Sequence, residues 1–255
     1  MSDMIKPSAP LVRRPPVFED FPGLIVGEST RHGGVSLAPF HSLNLGKSTA
    51  DNPAHVAENR RRFAGATGFD PDMLAWSYQV HGDQILHART PGGAEGYDAL
   101  ISDSPGVVLA VTVADCVPVL IFDVRNKAVA AVHAGWRGTV AGLAGKTLAA
   151  MSAVFGTRGE DCRAYVGTCI DECSFEVGEE VALHFPDEFK QVSALTGKYY
   201  VDLKKANAAQ LRRAGLSDAQ IGISPYCTVR DNADYFSHRA EKGTTGRMMA
   251  VIGLP

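Results

Sequence analysis

The sequence predicts an α+β fold: a single compact domain in which mixed β-sheets pack together and helices flank them. Three observations predict it. Strand-like apolar runs outnumber helical patterns. Glycine- and proline-bearing turns separate those runs, and the helices are interspersed late. The 255 residues are 45% hydrophobic, with no solenoid repeat and no low-complexity linker, which suits one large core.

The elements follow in order. MSDMIKPSAPLVRRPP lacks an apolar signal core, so residues 1–20 are expected to be a flexible extension and residues 21–255 the domain. Leu24 to Glu28 reads as a strand, entering a polar glycine loop, STRHGGVS (29–36). SLNLG (42–46) is a compact turn. Asp51 or Asn52 caps a helix with Pro53 in its first turn, and Arg60, Arg61 and Arg62 lie toward its C-terminal end as a solvated, dipole-matched face. Leu74 to Val80 is a strand ending at His81-Gly82, and Ile85 to Ala88 continues as another. Pro91-Gly92-Gly93 reads as a loop. Gly106 to Thr112 and Val119 to Asp123 are strands, and Pro118 argues against an uninterrupted central strand between them. Val129 to His133 returns as the second arm of a hairpin. A helical pattern follows at once, with Val140, Leu143, Ala144, Thr147, Leu148, Met151 and Val154 on one face. Cys162 to Val166 is a strand, Gly178 opens a short helix, and Asp202 caps a helix from Leu203 to Ala214 ended by Gly215. Met248 to Ile252 is the last strand.

The net charge is −3 and no apolar run is long enough to span a bilayer. This gives no general pull toward nucleic acid or an anionic membrane. Five cysteines in a chain of this size read as free thiols in a reducing, cytoplasmic setting.

His81, Cys116 and His133 each end a strand and each stand in a turn with Gly or Pro. Only adjacent strand ends bring such dispersed residues together. Three readings stand open. Two imidazoles and a thiolate form a zinc-competent set that leaves a fourth position for water. Cys116 with His133 also reads as a nucleophilic dyad served by helix N-terminal N–H groups. The third reading is structural. Asp98 and Asp115 are nearby acids, one of them to orient a histidine or act as general base. Cys169 and Cys173, four apart, suggest a second metal pair, unengaged thiols or a lining of the substrate mouth.

STRHGGVS, SLNLG, SYQVHGD (77–83), DALIS (98–102), TVADCVPVLIFD (112–123), VHAGWRGT (132–139), CSFEVG (173–178) and FSHR (236–239) with TGR (245–247) resemble the YfiH family. It is also called the multicopper polyphenol oxidase or laccase-domain family, and some of its branches are named peptidoglycan editing factor. The likeness runs from about Leu24 to the C-terminus with the motifs in the same order. It implies an α/β/β/α domain like the catalytic fold of bacterial Cys–His toxin deamidases. It implies zinc on His81, Cys116 and His133. It also implies phosphorolysis of adenosine, inosine and methylthioadenosine, and deamination of adenosine. The catalytic set is then Cys116, His81, His133 and Asp115. Arg31, Arg137 and the glycine-opened helix are the candidate phosphate ligands. Asn44 hydrogen-bonds the ligand or closes its own turn, and Phe236 and Trp136 stack on a base or fill the core. Gln79 and His238 join the substrate-binding set from their motifs. The expected partners are a purine nucleoside and phosphate, with no nucleic acid and no membrane; the sequence does not reveal an oligomeric state.

Multicopper oxidases build their clusters chiefly from paired His-X-His motifs. This chain has eight histidines and none so paired. A single copper at the His81–Cys116–His133 set stays chemically possible, with zinc expected where copper is scarce. The rivals to the nucleoside enzyme are an amide hydrolase editing cell-wall precursors with the same centre, and a metal-binding protein without turnover.

Overall fold

The computed structural model describes residues 9–255. In chain order the first half holds strands β1 (Val12–Arg13) and β2 (Ile25–Ser29), helix α1 (Pro53–Thr67), and strands β3 (Leu74–Tyr78), β4 (Ile85–His87), β5 (Gly92–Glu95) and β6 (Ala99–Ser102). Then come β7 (Val108–Val113), β8 (Val117–Asp123), β9 (Ala128–Ala134), α2 (Trp136–Val140), α3 (Leu143–Phe155) and β10 (Cys162–Val166). The last part holds β11 (Glu176–Val177), α4 (Glu179–Ala182), β12 (Lys190–Val192), β13 (Tyr199–Val201), α5 (Leu203–Arg213), β14 (Ile221–Ile223) and β15 (Met248–Gly253).

Two six-stranded mixed sheets carry the fold, ordered β1-β2-β15-β7-β3-β5 and β14-β10-β8-β9-β6-β4, and a small third sheet is ordered β11-β13-β12. Strand parity sorts the apolar side chains. Along β8, Val119 and Ile121 face α3 and α5, whereas Leu120 and Phe122 face the other large sheet. Phe63 and Ala64 of α1 pack on the outer face of the first sheet with Ile25, Leu74 and Val251. The layers are therefore helix, sheet, sheet, helix, the α+β architecture expected.

Several expectations are revised. Residues 1–8 of the extension placed over 1–20 lie outside the described residues. The rest of it is packed, since Val12 and Arg13 pair with β2 and Phe18 is buried in the core between the sheets. The helix expected after His133 is two helices, broken at Gly142, whose φ of 78° is left-handed; Val140 and Val154 are exposed rather than packed. Gly92 and Gly93 belong to an edge strand: a Cβ on Gly93 would sit 2.6 Å from the Trp76 ring, so only glycine lets β5 lie across that indole. Pro118 does lie inside a central strand. Its carbonyl accepts the Gly167 N–H at 2.8 Å, so its missing N–H faces the side where β10 has just ended and no ladder bond is lost. The three arginines of α1 sit in mid-helix. Arg60 is buried and donates to the Leu45 carbonyl, while Arg61 and Arg62 pair with Glu58.

Candidate metal centre

The three candidate ligands come from the two large sheets and the link between them. His81 follows β3 of the first sheet. Cys116 lies in the turn that takes the chain from β7 in the first sheet to β8 in the second. His133 lies near the end of β9, with the parity of Val129 and Ala131, so its ring enters the seam between the sheets. The ligand atoms of His81, Cys116 and His133 all lie within 4.8 Å of one another. Among the described residues this is the one group of three or more such donors that can share an ion.

Asp98, just before β6, organises the set. Its Oδ1 accepts the His133 ring Nδ1 at 2.8 Å and the His81 N–H at 3.0 Å. Its Oδ2 accepts the N–H groups of Val80 at 3.1 Å and Gly82 at 2.7 Å. One carboxylate thus fixes the tautomer of one ligand and the backbone of another, leaving His133 Nε2 to face Cys116. That clamp also holds His81 at a φ of 60°, an uncommon conformation for a non-glycine residue.

The charges support one another. Burial opposes ionisation of Cys116, but the charge and hydrogen bond of His133, with those of His81, hold its pKa down at about 6. Burial likewise opposes the His133 cation, yet the Cys116 charge and the Asp98 hydrogen bond push its pKa up. Asp98 is fully buried, and its bonds from His133 and Gly82 outweigh that burial to keep it below the usual carboxylate range. These shifts favour a thiolate–imidazolium pair, backed by a carboxylate, in the metal-free centre. Gly135 leaves room for it, because a Cβ there would lie 3.1 Å from Cys116 Sγ and 3.0 Å from His81 Cδ2. The donor set suits a borderline-soft cation with one open position, which fits zinc or a single copper.

The centre lies in a cavity of about 490 Å³ whose wall includes Gln79, Thr112, Asp115, His238, Arg239 and Arg247. Asp115 reaches this wall, but its carboxylate accepts Ser237 Oγ at 2.7 Å, Thr228 Oγ1 at 2.5 Å and the Arg239 N–H at 2.7 Å. It therefore clamps the C-terminal loop, and Asp98 rather than Asp115 contacts a histidine ligand. Both ends of the Gln79 amide bond Thr112, which ties β3 to β7. His238 is exposed at the rim.

Other expected site residues lie elsewhere. Arg31 pairs with Glu241, bonds two backbone carbonyls and covers the Phe236 ring at 4.5 Å. Phe236 is completely buried. Arg137 is exposed and folds over Trp136. Asn44 is buried and caps its own turn, accepting the N–H groups of Gly46 and Arg247. Cys169 is sealed in the core and Cys173 is exposed. Spacing offered Asp98 and Asp115 alike as the acid that orients a histidine, and the structure gives that place to Asp98; the residue it did not single out is Arg247 on the wall. The signal for Arg247 was its place in the TGR motif.

The family model described as multi-copper polyphenol oxidoreductase laccase matches residues 25–255. A Deinococcus radiodurans protein named purine nucleoside phosphorylase is 43% identical over 256 residues, covering 99% of this chain and 96% of that one. A Shigella flexneri protein named purine nucleoside phosphorylase YfiH is 39% identical and covers both chains in full. The crystal structure of YlmD from Geobacillus stearothermophilus superposes with a TM-score of 0.90 at 34% identity, covering 98% of each chain. No helix among the described residues is long and apolar enough to cross a membrane. The match across both sheets and all three ligand-bearing turns means that the chain belongs to the multi-copper polyphenol oxidoreductase laccase family, the family of the YfiH and YlmD proteins.

Proposed function

We propose that this chain is a zinc-dependent purine nucleoside phosphorylase that also deaminates adenosine and phosphorolyses methylthioadenosine. The observation that carries the reading is the His81–Cys116–His133 triangle within a cavity of about 490 Å³. That volume lies in the range of small-molecule sites. Relatives named purine nucleoside phosphorylase support the substrate class. The absence of His-X-His pairs argues for one metal rather than a copper cluster. Five free thiols support a reducing, cytoplasmic setting.

His81, Cys116 and His133 would hold the ion. When bound there, zinc supplies Lewis acidity and an activated water near neutral pH. Asp98 keeps the proton of His133 on Nδ1, and the Ser237 and Thr228 bonds to Asp115 hold the rim in place. His238, at the rim, is assigned to substrate binding. In phosphorolysis a phosphate oxygen bonds to ribose C1′ as the C1′–N9 bond breaks. The purine leaves with the proton that the hydrogen phosphate gives up. In deamination the water oxygen bonds to C6 and ammonia departs with one water proton, while the other ends on N1.

The test is to incubate zinc-loaded protein with adenosine, with and without phosphate, and to separate the products. Adenine that requires phosphate, and inosine that does not, are expected. If neither forms, the reading fails. Cleavage of a muramyl-peptide amide instead would support the editing hydrolase, and zinc binding without either turnover would support a binding protein.

A further inference from the structure

We propose that Arg247 is the oxyanion anchor of the cavity and that inorganic phosphate is its ligand. The proposal rests on the phosphorylase reading above. It also reassigns the phosphate subsite from Arg31 and Arg137, which point elsewhere.

The geometry of Arg247 carries the argument. Its Nη1 donates to the Thr245 and Gly246 carbonyls, both at 2.9 Å, which locks the guanidinium plane. No carboxylate among the described residues forms an ion pair with it, and its Nε and Nη2 carry no hydrogen bond to those residues. Those two atoms form the side edge of the guanidinium, the edge that binds two oxygens of a phosphate in parallel. The residue is half-buried on the wall of the cavity that holds His81, Cys116 and His133. A cation kept out of water without a carboxylate partner costs stability unless an anion arrives.

The surrounding chain is built to aim this side chain. Asn44 Oδ1 accepts the Arg247 N–H at 2.9 Å, and the Leu45 N–H donates to the Arg247 carbonyl at 3.0 Å. Gly46 makes room for the stem, since a Cβ there would lie 2.6 Å from Arg247 Cγ. Phe236 backs the same loop, with a Cβ on Gly246 falling 2.6 Å from its ring. The SLNLG turn and the aromatic of FSHR, which touch no part of the cavity through Asn44 or Phe236, thus acquire a purpose: they seat Arg247. Arg239, the other arginine on the wall, also turns its Nη1 to two carbonyls, those of Ser174 and Glu176, but it is exposed, so water meets its remaining donors, whereas Arg247 is half-buried.

Zinc-loaded Arg247→Met and Arg247→Lys are compared with wild type, using Arg61→Met, exposed on α1 and outside the cavity wall, as a charge control. Charge-assisted bonds of this kind are worth about ten- to a hundredfold in affinity. The KM for phosphate is therefore expected to rise by about that factor in Arg247→Met. It should rise less in Arg247→Lys, with a much smaller change in the KM for adenosine. Independently of turnover, inorganic phosphate is expected to raise the Tm of wild type and Arg61→Met but not of Arg247→Met. Circular dichroism checks folding, and Arg247→Lys keeps the test alive if the methionine variant does not fold. An equal rise in both KM values, or a phosphate-dependent Tm shift that survives in both Arg247 variants, overturns the proposal. A wild-type protein with no nucleoside turnover but an Arg247-dependent phosphate shift would sink the phosphorylase reading and leave the anion site standing.

Discussion

Replacing Asp98 by asparagine tests the centre most directly, because the change keeps the shape and removes half the acceptors. The carboxylate takes four N–H donors, two on each oxygen. In either orientation of the new amide, its NH2 meets two of those donors head-on. If it faces Val80 and Gly82, two part-buried backbone N–H groups lose the acceptor that the fully buried Asp98 gives them. Each such loss costs about 1–3 kcal/mol, so the folded state should weaken by roughly 2–4 kcal/mol after local relaxation. That is within the usual margin of 5–15 kcal/mol for a domain, so the variant is expected to fold. Metal affinity is the second readout. Replacing the carboxylate that supports a metal-ligating histidine typically costs about ten- to a hundredfold; here His133 is left with a neutral amide oxygen, and the Val80 and Gly82 N–H groups that flank His81 come free. Zinc competition against a chromophoric chelator measures the affinity, and urea unfolding of the metal-free protein measures the stability. Zinc affinity within twofold of wild type, in a variant destabilised as calculated, would refute the idea that Asp98 organises the donors.

Three further outcomes follow from other contacts. Gly135→Ala is expected to abolish stoichiometric zinc binding while the metal-free protein stays folded: the backbone there (φ −68°) tolerates any residue, but the new methyl would crowd Cys116 Sγ and His81 Cδ2; unchanged zinc content would contradict it. In the metal-free protein the Cys116 thiol is expected to react with iodoacetamide as a thiolate at neutral pH, losing reactivity only as the pH falls through about 6, and an apparent pKa near that of a free thiol would remove the His133 pairing. Glu28 is buried, accepts three hydrogen bonds from Thr168 and Tyr165, and has its pKa raised above 4.5 chiefly by burial. It binds more protons folded than unfolded between the two pKa values, so its stabilisation is full below the unfolded value and is lost as pH rises through the folded one. Glu28→Gln should therefore gain stability relative to wild type as the pH rises above the ordinary carboxylate range; a difference that stays flat with pH would show that Glu28 is not the group titrating.

The strand residues of this fold are legible because parity is a local property. Val119 and Leu120 declare their two faces in the sequence, and both faces are buried. The same locality explains what stayed hidden. Pro118 argues against a central strand until its partner strand is known to stop one residue short. Gly142 lies inside a continuous apolar period, and only its left-handed backbone reveals the break. At the site, the three ligands are legible as strand ends, but their meeting is a consequence of topology. The β7–β8 link crosses from one sheet to the other, so residue 116 must pass the seam where β3 and β9 deliver His81 and His133. Spacing alone left the role of orienting acid open between Asp98 and Asp115. The register decides it: Ala99 pairs with Val132, which sets Asp98 beside His133, whereas Asp115 turns at a φ of 87° toward the C-terminal loop. The arginines follow the same logic. Arg31 and Arg137 stand in glycine-rich segments that read as anion loops, yet each has a neighbour that already satisfies or covers it. Arg247 has its carbonyl partners on one side only, and its remaining donors are unspent hydrogen-bonding capacity held half-buried on the wall that also carries Cys116.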